Sequence, residues 1–258
     1  MHLFKKKKAK EKISVVTCYD YTSAKILANT AIDCLLVGDS AAMVMHGFKD
    51  TLPATVDMMC YHTAAVARGA GDKLIVTDLP FLSYRKSLSQ NVAAVQALMQ
   101  AGAHAVKLEG AAGNVKLIRY LVESGVPVMG HLGLTPQSIH MLGGYKVQGK
   151  DEESANQLKR DALLLEEAGC FSLVLECVPT LLAKEITESL TIPTIGIGAG
   201  RYTDGQVLVW QDLLGMDKMF KPKFLKTYLD GYDKIKSAID TYVQEIHSGV
   251  FPNDEHSF

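Results

Sequence analysis

The sequence predicts an α/β protein, a closed (β/α)8 TIM barrel in a single domain with a C-terminal helical extension, and three observations predict it. Eight short runs of strand-forming residues recur at fairly even intervals. Segments of helical periodicity lie between most of them, several ending in the glycine expected just past a helix. Eight such units in roughly 200 residues suit a closed barrel better than an open doubly wound sheet.

In chain order, the first twelve residues, "MHLFKKKKAKEK", hold a lysine run with no apolar stretch behind it. A signal peptide needs such a stretch, so the expectation is a solvated basic tail over residues 1–12. The strand runs follow as "SVVTCYD", "CLLVGDS", "KLIVTDLP", "HAVKLEG", "VPVMGHLGL", "SLVLECV", "TIGIGAG" and "GQVLVW". The clearest helical segments are "TVDMMCYHTAAVARGA", "SLSQNVAAVQALMQAG", "GNVKLIRYLVESG" and "ESANQLKRDALLLEEAG". Residues 222–246 read as an amphipathic helix after the eighth strand, suited to covering the barrel or a neighbouring subunit. No linker or shift of composition marks a second domain within residues 1–258, and the units show no self-similarity beyond their architecture.

Composition narrows the function. Of 258 residues, 48% are hydrophobic and 21% charged, as in an ordinary globular enzyme. The 27 basic and 28 acidic residues nearly cancel, so nothing favours nucleic acid or an anionic membrane, and a small molecule is the expected partner. Five cysteines, none in a C-x-x-C arrangement, argue against a disulfide framework or zinc knuckle and for a reducing cytoplasm. No segment approaches the roughly 20 apolar residues of a membrane span.

"HAVKLEG" poses the sharpest question, because Lys107 and Glu109 interrupt an apolar strand on one of its faces. Charged or titratable residues also stand at the C-terminal ends of four other runs: Asp39, Asp78, His131 and Glu176. In a barrel these ends converge on one mouth, where catalytic groups of this fold sit. Singly, each has a plainer explanation. A strand-end aspartate commonly caps the next turn, His131 suits a structural hydrogen bond, and Lys107 with Glu109 suits a structural ion pair. Glu176 is harder to dismiss, since a buried carboxylate without a partner costs several kcal/mol. Five charged strand ends together point to a site.

Two aspartates from different strands with a third carboxylate nearby are hard oxygen ligands suited to Mg²⁺. Zinc fits less well, because there is no H-E-x-x-H and no clustered cysteine. A metal so held polarises a carbonyl while a remaining carboxylate removes the adjacent proton, which describes an enolisation. Two glycine-rich stretches stay open in meaning. "GIGAG" follows the seventh strand, where barrels often hold phosphate, and "GGYKVQG" suits either a loop over the mouth or plain surface.

The stretches "VGDS", "TLPATVDMMCYHTAAVARGA", "DLPF", "VKLEG", "GHLGLTPQS" with "GGYKVQG", "LVLECVP", "IPTIGIGAG" with "TDGQVLV", and the closing "DEHSF" together resemble the 3-methyl-2-oxobutanoate (ketopantoate) hydroxymethyltransferase family, in order from about residue 13 to the C-terminus. The resemblance implies a (β/α)8 barrel that transfers the one-carbon unit of 5,10-methylenetetrahydrofolate to 3-methyl-2-oxobutanoate through a Mg²⁺-stabilised enolate. The product is 2-dehydropantoate, on the route to pantothenate and coenzyme A. It further implies Asp39 and Asp78 as metal ligands that also contact substrate, with Glu109 supporting the metal's water shell. Ser40 and Lys107 hold the substrate carboxylate and oxo group, Glu176 is the general base, and His131 lies in the same pocket. A homodecamer of two pentamers is implied as well. Departures from the family pattern are Ala41 and Ala42 after "VGDS", His46 where glutamine is common, and Trp210 after the eighth strand.

Two other readings compete. One is a Mg²⁺-dependent barrel that makes or breaks C–C or C–P bonds in another 2-oxo acid without folate. The other is a catalytically dead barrel serving assembly, against which stands the intact set of charged strand ends.

Overall fold

A computed structural model describes residues 2–258 of the chain. The chain divides into two compact units, one running to Leu208 and the other from Val209 to Phe258. The first contains all eight strands: β1 (Ile13–Thr17), β2 (Cys34–Val37), β3 (Leu74–Asp78), β4 (Ala105–Glu109), β5 (Val128–Gly133), β6 (Ser172–Glu176), β7 (Thr194–Ile197) and β8 (Gly205–Leu208). They are all parallel, in sequential order, and β8 pairs with β1 to close the barrel.

Its helices are α1 (His2–Ala9), α2 (Tyr21–Ala28), α3 (Ala41–Val44), α4 (Val56–Gly69), α5 (Leu88–Gln100), α6 (Val115–Glu123), α7 (Ile139–Leu142), α8 (Glu152–Glu167) and α9 (Thr180–Ser189). The local sequence starts several of them. Asp20, Thr55 and Asp151 each cap a helix by accepting a backbone N–H, and Ser87 with Gln90 forms a capping box on α5. The connection between β7 and β8, residues 198–204, contains no helix.

Alternation along the strands fills the barrel. Val15, Leu36, Val76, Ala105, Met129, Val174, Ile195 and Val207, one from each strand, pack into a single buried cluster. Side chains two residues further along share that inward face. On β3 to β6 these are Asp78, Lys107, His131 and Glu176, so the apolar interior gives way to charge one layer higher.

The N-terminal lysine run departs from the expected solvated tail. Residues His2–Ala9 form a helix whose Leu3 is 2% exposed and belongs to the barrel core cluster. Lys7 Nζ donates to the carbonyls of Thr187 and Ile192 at 3.2 and 2.9 Å and to Asp204 Oδ2 at 3.0 Å, and Lys6 pairs with Asp33 at 2.6 Å. Lys6 and Lys7 are held because the N-terminal end of the barrel presents carbonyls and carboxylates that need donors, while Lys5, Lys8 and Lys10 remain exposed.

The second unit holds α10 (Trp210–Leu213) and α11 (Gly231–Ser248). The helix expected over 222–246 is therefore shorter at its start. Residues before Gly231 form turns, with Leu225 N–H donating to Pro222 and Tyr228 N–H to Leu213. Asp230 stands at the N-cap, and a proline with a nearby Asp-Gly pair favours turns over helix. Among the described residues, no helix is long and apolar enough to cross a membrane.

Candidate active site

Strand register builds the site. Asp78 stands opposite Lys107 across β3 and β4, Glu109 opposite His131 across β4 and β5, and Gly133 opposite Glu176 across β5 and β6. Lys107 Nζ lies 2.8 Å from Asp78 Oδ1 and 3.4 Å from His131 Nδ1. His131 Nδ1 is 3.6 Å from Glu109 Oε1, and its Nε2 is 3.2 Å from Glu176 Oε2. Asp39 follows β2, and its backbone N–H donates to Asp78 Oδ2 at 3.1 Å. Gly38 permits that turn, because a Cβ there would lie 2.7 Å from Ser40 Oγ. Gly133 has a φ of +92°, and a Cβ on it would meet the Glu176 carbonyl at 2.2 Å, so β5 and β6 approach closely beside the glutamate only with glycine there.

Asp39, Asp78, Lys107, Glu109 and His131 are all buried, whereas the Glu176 side chain keeps 18% of its exposure. Three buried carboxylates face one lysine. Burial, then the charge of Asp78, pushes the Asp39 carboxyl up to about 7, against the pull of Lys107 and Gln137. Burial and the charge of Asp39 raise Glu109 well above the usual carboxylate range. Burial alone would lower Lys107, but Asp78, Glu109 and Asp39 together hold its ammonium above its ordinary value. His131 is lowered by burial and by the Lys107 charge, against the pull of Glu176.

The histidine tautomer follows. An ammonium only donates, so Nδ1 facing Lys107 is the acceptor, and the neutral ring carries its proton on Nε2 toward Glu176. Lys107 and Asp78 form a close ion pair and the neutral His131 ring closely approaches Glu176, but neither is a well-aligned hydrogen bond. Asp78 Oδ1 and His131 Nε2 therefore stay buried without a directed hydrogen-bond partner.

Comparison with known proteins gives the chain's family. Residues 1–254 match the family described as ketopantoate hydroxymethyltransferase. The chain belongs to the ketopantoate hydroxymethyltransferase family. The 3-methyl-2-oxobutanoate hydroxymethyltransferase of Bdellovibrio bacteriovorus is 62% identical over 253 residues, 98% of this chain and 96% of that protein. The enzyme of the same name from Coxiella burnetii is 58% identical over 250 residues, 96% of this chain and 94% of that one. Among solved structures, a phosphonopyruvate hydrolase in complex with oxalate and Mg²⁺ superposes with a TM-score of 0.63 at 10% identity, covering 98% of this chain and 91% of that one. A 2,3-dimethylmalate lyase, described as a member of the PEP mutase/isocitrate lyase superfamily, gives 0.61 at 14% identity, covering 100% of this chain and 90% of that one. At such identities these structures share the barrel with this chain, and its membership in the hydroxymethyltransferase family rests on the sequence relatives.

The residues singled out by sequence and by the family resemblance are brought together. Asp39, Asp78, Lys107, Glu109, His131 and Glu176 form one connected cluster, and Ser40 adjoins it with its Oγ 2.8 Å from the Tyr19 hydroxyl. Sequence reasoning missed Gln137, a buried amide on the 3₁₀ turn Pro136–Ser138, which reaches both Asp39 and Glu109. Its only signal was its place within the family stretch "GHLGLTPQS", since an uncharged side chain after proline reads as loop. Of the departures, Ala41 and Ala42 are fully buried on α3, and His46 Nε2 lies 2.9 Å from His62 Nε2, whose Nδ1 meets the Tyr19 carbonyl at 2.6 Å. Trp210 opens α10. In "GIGAG", Gly200 has a φ of +80° and lies so near Thr180 that a Cβ would meet that side chain at 2.5 Å, which accounts for one glycine by packing.

Proposed function

We propose that this hydroxymethyltransferase joins the one-carbon unit of 5,10-methylenetetrahydrofolate to C3 of 3-methyl-2-oxobutanoate, giving 2-dehydropantoate for pantothenate and coenzyme A synthesis, with Mg²⁺ in the barrel mouth. The observation that carries this reading is the excess of buried negative charge around Lys107, set beside a partly open glutamate that faces a neutral imidazole.

The donor set fits a hard divalent cation. Asp78 Oδ1 lacks a directed hydrogen bond, and Asp39 is pushed up to about 7 by burial and by its neighbour's charge, both of which a cation would relieve. Among the described residues, no three carboxylate, imidazole or thiol groups converge as a ready-made cage. Mg²⁺ needs no such cage, since it keeps several waters and takes only one or two carboxylates. Asp39 and Asp78 would hold the ion, with Glu109 supporting its water shell. When bound, the ion supplies Lewis-acid polarisation of the substrate's oxo group.

The chain's own residues do the rest. Ser40, steadied by the Tyr19 hydroxyl, binds the substrate carboxylate. Glu176 removes the C3 proton, with the neutral His131 ring beside it, Nε2 lying 3.2 Å from its carboxylate. Lys107, fixed by Asp78 and His131, places positive charge where the oxo oxygen gains negative charge. Water hydrolyses the folate-borne methylene to a formaldehyde equivalent with release of tetrahydrofolate, and the enolate carbon bonds to that carbon while its oxygen takes up the proton held by Glu176 and becomes the product hydroxyl. In D₂O with Mg²⁺ and no folate, the protein should exchange the C3 proton, seen by NMR as loss of the methine signal and collapse of the methyl doublet. A methine that persists through prolonged incubation would overturn the enolisation.

The five free thiols support a cytoplasmic setting. Assembly as a decamer of two pentamers is the corresponding proposal for quaternary structure, supported by the half-exposed Ile235, Ile239, Tyr242 and Ile246 of α11. Light scattering should report the mass of about ten chains. A monomer at micromolar concentration would sink it.

A further inference from the structure

Gln137 has a role that neither its charge nor its sequence neighbours announce. It is 6% exposed, and its side-chain amide is fully committed. Nε2 donates to Asp39 Oδ2 at 2.8 Å and to the Leu79 carbonyl at 2.9 Å, while Oε1 accepts from the Tyr84 hydroxyl at 2.7 Å. Its backbone N–H donates to Glu109 Oε2 at 3.0 Å. The Leu79 carbonyl cannot donate, so the amide has only one satisfactory orientation, and its second N–H must point at Asp39. Burial keeps the Tyr84 phenol protonated by raising it above its ordinary value, so it remains the donor that fixes the other end.

In the mouth, Asp39, Glu109 and Asp78 each have one oxygen held by an uncharged N–H: the Gln137 side chain, the Gln137 backbone and the Asp39 backbone. Neutral donors orient a carboxylate without cancelling its charge. A lysine or arginine at position 137 would orient Asp39 as well, but would remove the negative charge on which cation binding depends. From this geometry we infer that Gln137, braced by Tyr84, is a positioning residue that sets Asp39 and Glu109 for a divalent cation while leaving their charge intact. The inference rests on reading the mouth as a divalent-cation site.

The test uses the full-length protein without substrate, titrated with Mn²⁺ and followed by the EPR signal of the free ion. Gln137→Met, which keeps length and loses every side-chain hydrogen bond, should weaken Mn²⁺ binding by roughly 10- to 100-fold, the usual effect of losing a residue that orients metal ligands. Tyr84→Phe should weaken it by a smaller factor, and it decides the matter if Gln137→Met does not fold by circular dichroism. The Mg²⁺ concentration giving half-maximal rate should rise in parallel, while the rate at saturating Mg²⁺ changes by a smaller factor. Mn²⁺ bound by the intact protein and equally well by the folded variants would overturn this inference alone. No Mn²⁺ binding by the intact protein would overturn the metal reading and this inference with it.

Discussion

The two ends of the barrel treat charge in opposite ways. At the N-terminal end Asp33 and Asp204 each have their own lysine and their own backbone donor. Asp33 pairs with Lys6 and accepts from the Ser14 N–H, and Asp204 pairs with Lys7 and accepts from the Thr194 N–H. At the mouth, Asp39, Asp78 and Glu109 share the single Lys107, and the imbalance shows in the raised Asp39 and Glu109. Charges that pair off serve the fold. Charges left in excess destabilise the empty protein and remain ready for something positive, the trade between stability and activity common at active sites.

That contrast is open to breaking. The largest effect should come from Asp78→Ala or Asp39→Ala, which remove a hard oxygen ligand. Mg²⁺-dependent turnover should fall by roughly 10³-fold or more, the worth of several kcal/mol of transition-state charge stabilisation. Full activity at low Mg²⁺ in either folded variant would reduce these aspartates to turn caps. Next, Glu176→Gln should slow C3 proton exchange in D₂O by roughly 10² to 10⁴, the range for a positioned general base. Exchange at the wild-type rate would transfer the role of base to His131.

A subtler difference lies in stability. Burial and the Asp78 charge push the Asp39 carboxyl up to about 7, above its ordinary 3.8, so the unfolded chain ionises first as pH rises. Metal-free protein should therefore lose stability between about pH 4 and pH 7, and the Asp39→Asn variant should lack that part of the slope. At pH 8 the inactive Asn variant should be the more stable protein by denaturant titration, by an amount on the order of a few kcal/mol. An Asn variant less stable than the intact chain at that pH would show that the charge is already compensated.

At the other end the sign reverses. Leu3→Ala should cost about 2–3 kcal/mol of stability and Lys7→Met about 1 kcal/mol, with proton exchange unchanged. A loss of exchange activity in the folded Lys7 variant would erase the distinction between the two ends.

All eight strands and the four quoted helices were legible because period, glycine stops and apolar runs are local properties. The mouth was legible for a related reason, since a charge inside an apolar run such as "VKLEG" stands out against its neighbours. Gln137 did not stand out, being neutral and on a turn, and its importance comes from partners 58, 98 and 28 positions away in sequence: Leu79, Asp39 and Glu109. The N-terminal lysines misled for the opposite reason. A charge run reads as solvated, and the acceptors that hold it lie near residues 33, 187, 192 and 204.

By itself the sequence determined the family, the alternation of strands and helices, and which titratable groups stand at strand ends, because each is written in residue type and spacing. Only the tertiary structure decided how those groups pair. The parallel register set Asp78 beside Lys107 and Glu109 beside His131, and the donor-only ammonium of Lys107 then fixed the imidazole tautomer. Barrel closure buried three carboxylates around one lysine, and the raised affinity of Asp39 and Glu109 for protons arises from that crowding in a low-dielectric interior, which no single residue's identity contains.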